Sequence, residues 1–190
     1  VGRLRDKTAV FVDIGANCGS YTISIAGDLL AGSRVIAIEP NPEMVRRIQD
    51  NVALNGLGAQ VEVLQVALGA SDGTAELFLD ERNFGESSLL GGHRRAGKSV
   101  TVKVRALSDI VGEIDDDVTF AIKIDVEGFE ARVLVPFLKT TGRKPDLIMM
   151  ETEHDDDWDE DLVQLLKDLH YTSVFDGEGN TLFHLTGQVH

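Results

Sequence analysis

Cysteine is almost absent from this 190-residue chain: Cys18 is the only one, so no intramolecular disulfide can staple the fold. That suits a reducing compartment, and a cytoplasmic location is the expectation. No histidine stands near Cys18 in sequence, so a small residue packed in a turn is favoured over an imidazole-activated nucleophile. Basic residues are also scarce, 18 Lys and Arg against 32 Asp and Glu, for a formal net charge of −14. A field of that sign repels polyanions, which argues against a nucleic-acid partner. Apolar runs long enough to span a bilayer are missing, so no membrane partner is expected. Internal repeats and low-complexity tracts are absent as well. The chain opens at Val1 without a methionine, from which a trimmed or processed start with missing flanking elements is expected.

What is present reads as alternating strands and helices. Ala9 to Ile14 and Arg34 to Glu39 are short apolar runs bounded by turn residues, the pattern of buried parallel strands. Helical spacing from Tyr21 to Leu30 lies between them. Asn41 is placed to cap a second helix, Pro42 to Leu54, with Pro42 in its first turn and Asn55-Gly56 at its end. Val61 to Val66 is a third strand. This alternation predicts a doubly wound, Rossmann-like α/β sheet, with residues 1–190 forming a single domain. Ala75 to Leu79 and Ser99 to Arg105 then read as a hairpin inserted at the sheet edge, around a polar loop covering residues 80–98. A short helix at Leu107 follows, then a strand from Thr119 to Asp125, a helix from Gly128 to Leu138 and a strand from Leu147 to Glu151. A helix from Asp159 to Leu169 and a terminal antiparallel hairpin, Thr172 to Phe175 with Leu182 to Leu185, complete the chain.

The first strand runs into Asp13, Gly15, Asn17 and Gly19, and the second ends in Glu39, about twenty residues after that turn, where an acid takes both hydroxyls of a ribose. A dinucleotide needs G-x-G-x-x-G, because its pyrophosphate sits almost on the backbone. Here Asn17 replaces the second glycine and Ser20 the third. S-adenosylmethionine has no phosphate, and its amino-acid tail needs one close backbone approach, a polar side chain and a helix N-terminus. Gly15, Asn17, Gly19 and the following helix offer these, and Asp13 can meet the tail's ammonium directly or through water. An NAD-dependent oxidoreductase and a non-catalytic adenosylmethionine-binding module stand as the alternatives.

Five segments carry a family resemblance: FVDIGANCGSYT from Phe11 to Thr22, IEPNP from Ile38 to Pro42, Asn55 with VALG from Val66 to Gly69, GESSL from Gly85 to Leu89, and IKIDVEGFE from Ile122 to Glu130. On these the chain resembles the FkbM-type methyltransferases, class I enzymes dependent on S-adenosylmethionine. The resemblance implies a seven-stranded, mostly parallel sheet with an antiparallel terminal strand. It implies methyl transfer, most often to oxygen on sugars or natural products, so the expected partner is a small-molecule or glycan acceptor. It also adds Tyr21, Pro40, Asn41 and Ala67 to the cofactor-binding set. No acid follows the third strand directly, so adenine is expected to meet backbone at Val66 and Ala67, or Asp72.

Ligands of open α/β sheets bind at the carboxyl ends of the strands. Asp13, Glu39, Asp125 and Glu151 occupy such ends, and Asp125 also belongs to the expected cofactor-binding set. A hydroxyl acceptor must lose its proton near the transition state. Asp125 is the first choice of base, with Glu127, Glu151, Glu153 and His154 as further candidates. Lys123 is odd on a central strand, where an unpaired ammonium is costly, so an ion pair with Asp125, Asp13 or Glu151 is expected. A divalent metal held by Asp125 and Glu151 is a possible variant but not the prediction. The 80–98 segment reads as a mobile acceptor loop with Ser87 and Ser88 at the active-site mouth.

Overall fold

The computed structural model describes residues 2–79, 98–126, 128–152, 161–177 and 179–186. The chain alternates β1 (Ala9–Ile14), α1 (Ser20–Asp28), β2 (Arg34–Ile38), α2 (Pro42–Leu54) and β3 (Val61–Leu64). Next come β4 (Ala67–Leu68), β5 (Gly73–Phe78), β6 (Ser99–Arg105) and α3 (Leu107–Val111). The remainder is β7 (Thr119–Ile124), α4 (Glu130–Thr140), β8 (Leu147–Glu151), α5 (Leu162–Asp168), β9 (Tyr171–Gly177) and β10 (Asn180–Leu185). A seven-stranded sheet runs β3-β2-β1-β7-β8-β10-β9. Its strands are parallel from β3 to β8, and β10 lies antiparallel between β8 and β9. This is the mostly parallel α/β sheet with an antiparallel last strand that the sequence predicts. No helix among the described residues is long and apolar enough to cross a membrane.

Successive side chains on a strand point to opposite faces, and each face has its own helices. Val12, Ile14, Ile36, Ile38, Phe120, Ile122 and Ile148 join residues of α3, α4 and α5 in one core. Phe11, Val35, Ala37 and Ala121 join Ile25 and Ala26 of α1 and Ile48 and Val52 of α2 in the other. The small residues on this second face let α1 lie close to the sheet. α2 starts where expected, with Asn41 accepting from the Glu43 N–H at 3.0 Å and Pro42 at its first position.

One expectation changes. The hairpin of β5 and β6 forms, but it does not extend the edge of the main sheet. It makes a separate sheet in the order β4-β6-β5. The reason lies in Val61 to Val66, which breaks after Leu64: Ala67 and Leu68 leave the main sheet and pair in parallel with Val104 and Arg105. Ala67, Leu77 and Val102 then bury one another in a small core of their own. The stretch 80–97, with Ser87 and Ser88, and the segment 153–160, with Glu153 and His154, lie outside the described residues, as does Glu127.

β7 is buried along nearly its whole length, and Phe120 near its start is fully buried, edge-on to Phe137 of α4 at 6.3 Å between centroids. Phe120→Ala is expected to lower unfolding free energy by ~3–5 kcal/mol in urea titration, the usual cost of an emptied aromatic core site. Leu54→Ala, at a position 83% exposed, should stay within about 0.5 kcal/mol of the parent.

Candidate active site

β1 sits where the order of connection reverses, with β2 on one side and β7 on the other, so a crevice opens between the carboxyl ends of β1 and β7. Parallel register sets Asp13 opposite Lys123, both on the α1 face by the period-two rule. Asp13 is fully buried. Its Oδ2 accepts from the Thr22 hydroxyl of α1 at 2.6 Å, while its buried Oδ1 accepts no hydrogen bond from the described residues. Lys123 Nζ donates to the Gly15 carbonyl at 2.9 Å. It lies 3.6 Å from Asp13 Oδ1, 3.5 Å from Asp125 Oδ2 and 5.5 Å from the Tyr21 ring centroid. Two of the three expected partners of Lys123 are therefore beside it. Asp13 does not line the cavity, and its carboxylate faces the Lys123 ammonium.

The turn after β1 carries three left-handed residues, Gly15, Asn17 and Gly19, with φ of 70°, 51° and 87°. A Cβ on Gly15 would overlap the Asp125 carbonyl oxygen, so the backbone just after β7 requires glycine there. The Gly15 and Ala16 N–H groups both donate to Ile38 O, and the Asp125 N–H donates to Ile14 O. The ends of β2, β1 and β7 are thus laced together. Gly19 forms the N-cap of α1 with no side-chain cap and no acid in the first turn, leaving that helix end open to an anion.

Glu39 is held from both sides. Oε2 accepts from the Asn17 N–H at 2.9 Å and Oε1 from the Asn41 N–H at 2.8 Å. Burial pushes its carboxyl above the ordinary carboxylate value; the two N–H donors and Lys123 oppose that shift, while Asp13 adds to it. A carboxylate accepts about four hydrogen bonds, so each oxygen keeps capacity for a ligand hydroxyl.

A cavity of about 320 Å³ opens over these groups. Gly15, Asn17, Tyr21, Glu39, Pro40, Ala67, Lys123 and Asp125 line it, whereas Asp13, Gly19 and Asn41 stand behind the surface. Asn41 acts through Glu39, and Gly19 packs against Ile48 of α2. Asp72 is not at the cavity, its carboxylate accepting from the Ala106 N–H at 3.3 Å, whereas Val66 and Ala67 line it. Glu151 does not line the cavity either. Among the described residues no group of three or more His, Cys, Asp or Glu side chains is arranged to hold a metal.

Other participants escape sequence reasoning. Met44, Leu68, Leu77, Phe129 and Val133 supply apolar wall, yet in sequence each reads as ordinary core. Glu130 is buried, and its carboxylate accepts from the Val126 N–H at 2.9 Å, fastening the turn after β7. The signal was available: an acid four residues beyond the turn, at the head of a helix.

The family model for the FkbM methyltransferase domain matches residues 13–173. The chain belongs to the FkbM methyltransferase family. Among solved structures, the FkbM methyltransferase of Methylobacillus flagellatus superposes with a TM-score of 0.62 at 20% identity, over 96% of this chain and 45% of that one. TrmK of M. capricolum, solved with its cofactor product S-adenosylhomocysteine, superposes with a TM-score of 0.53 at 11% identity, over 97% of this chain and 65% of that one. At such identities the likeness is one of fold. The ribosomal protein L11 methyltransferase of Aeromonas hydrophila is 33% identical over 98 residues, 50% of this chain and 32% of that protein. This FkbM-family chain therefore spans about a third of the Aeromonas protein and less than half of the Methylobacillus one.

Gly15→Ala tests the close approach of β1 and β7. An L-residue held left-handed loses ~1–2 kcal/mol by itself, and the overlap with Asp125 adds to it, so denaturant unfolding should show a loss above that range. Gly58→Ala, with open space around its Cβ and no positive φ, should leave stability within about 0.5 kcal/mol.

Proposed function

We propose that this cavity binds S-adenosylmethionine and that the chain transfers its methyl group to a hydroxyl of a small molecule or glycan. The observation that carries the reading is Glu39: a buried carboxylate, positioned by two backbone N–H groups at the end of β2, with accepting capacity left over for a ribose diol beside an apolar wall. Pro40, Val66, Ala67, Leu68 and Leu77 offer that wall to an adenine, and the open end of α1 beside Ser20 and Tyr21 suits a carboxylate. The membership of the family and the S-adenosylhomocysteine seen in TrmK support the same choice of cofactor. The acidic surface supports a neutral or cationic acceptor over nucleic acid.

The cofactor supplies an electrophilic methyl on a sulfonium. Once bound it would give that methyl in line to the acceptor oxygen and keep the C–S electron pair on its sulfur, so the protein's first task is to position the acceptor. Asp125 takes the hydroxyl proton. Its side chain is 42% exposed, lines the cavity, and lies beside Lys123, which holds it at the mouth. Glu127 and His154, which lie outside the described residues, are the alternative bases.

Calorimetry with S-adenosylmethionine and S-adenosylhomocysteine tests the pocket, and saturable binding of both is expected. Absence of heat with either on folded protein, or binding of NAD in their stead, overturns the reading. Glu39→Gln should weaken both ligands by about 10–100-fold, the size of losing one or more hydrogen bonds to a charged acceptor. Because the ionised form of Glu39 accepts the diol and its carboxyl titrates above the ordinary 4.5, wild-type affinity should fall as pH is lowered through that raised value. The variant should lose this dependence. Once an acceptor is found on a panel of sugars, small hydroxyl compounds and short RNAs, Asp125→Asn should lower kcat by roughly 10²–10⁴, as expected for loss of a general base. Donor affinity should change far less.

A further inference from the structure

Lys123 is buried at the cavity floor with its charge only partly answered. Its side chain is 5% exposed. The nearest carboxylate oxygens stand at 3.5 and 3.6 Å, beyond the ~2.7–2.9 Å of a direct charged hydrogen bond. Among the described residues its one hydrogen bond, at 2.9 Å, goes to the neutral Gly15 carbonyl, and a further neighbour is the Tyr21 ring, itself part of the cavity wall. An apolar side chain of similar length would fill the same space but would leave the buried Asp13 without a cation. The charge, not the volume, is what this position adds.

A sulfonium donor and its thioether product differ at such a site by one methyl and one positive charge. The apolar wall, Glu39 and the open end of α1 act on features that both ligands share. A fixed ammonium does not. Resting on the cofactor reading above, we infer that Lys123 is a specificity-determining residue for charge at sulfur: it weakens the hold on the sulfonium relative to the neutral thioether. The sulfur loses its charge on the way to the transition state, so a cation here opposes the ground state more than the transition state.

The test needs no methyl acceptor. Calorimetry at pH 8 gives the ratio of affinities for S-adenosylmethionine and S-adenosylhomocysteine in wild type, Lys123→Gln and Lys123→Arg. Glutamine keeps a donor for Gly15 O and removes the charge; arginine keeps the charge. The ratio should move towards the sulfonium on the order of 10-fold in Lys123→Gln, the effect of a unit charge at ~10 Å through an effective dielectric of about 20. It should stay near wild type in Lys123→Arg. A lysine of purely structural value would weaken both ligands together, and an unmoved ratio in Lys123→Gln overturns the inference, as does an equal shift in both variants. Removal of Lys123 leaves Asp13 buried without a cation, so the comparison is repeated between Asp13→Asn and Asp13→Asn/Lys123→Gln, where no such charge remains. That pair decides if the single variant fails to fold, with the same shift expected and an unmoved ratio again fatal. Failure of wild type to bind either ligand is a separate result: it removes the cofactor reading, and this inference with it.

Discussion

The ammonium of Lys123, enclosed between β1 and β7, is the contact on which the rest of the site depends. It reaches the Gly15 carbonyl, faces Asp13 and Asp125, and lies over Tyr21. Asp13 in turn accepts from Thr22, so the same cluster ties α1 to the sheet. Charges removed from water are held only where partners oblige them, and taking away one member of such a group typically costs several kcal/mol. The cluster therefore positions the opening turn, the first helix and the exit of β7 together. Those three elements border the cavity.

A second constraint works outward from Glu39. Its two oxygens accept from the N–H groups of Asn17 and Asn41, so the turn after β1 and the start of α2 orient one carboxylate. Left-handed Asn17 presents its N–H in that direction, and Asn41 caps α2 with its side chain while its own N–H serves Glu39. The far wall comes from elsewhere: Ala67, Leu68 and Leu77 belong to the small second sheet. A binding surface assembled from two sheets combines a rigid polar edge with an apolar lining, the usual composition of a small-molecule site.

Much of the fold was legible because its signals are local. Pro42 to Leu54 was bounded by a cap, a proline and Asn55-Gly56, and the helix has those limits. β1, β6 and β8 match their apolar runs residue for residue. Glu39 was legible from its place at a strand end. The fate of Val61 to Val66 was not, because Leu64 and Ala67 are equally apolar and the choice between two sheets rests on β6, nearly forty residues later. The close approach of Gly15 to Asp125 was not legible for a related reason: the two lie more than a hundred positions apart and become neighbours only through the β1–β7 register.

By itself the sequence determined most of the strands and helices of the main sheet, which face of each is apolar, and which acids end the strands, since all of these follow from spacing within a dozen residues. It also determined the family, through the order of its motifs. Only the tertiary structure decided which acids turn inward and which meet the cavity, that Gly15 lies against the Asp125 carbonyl, and that the hairpin becomes a wall in a sheet of its own. These depend on parallel pairing between distant strands, where a shift of one residue would send every side chain to the opposite face.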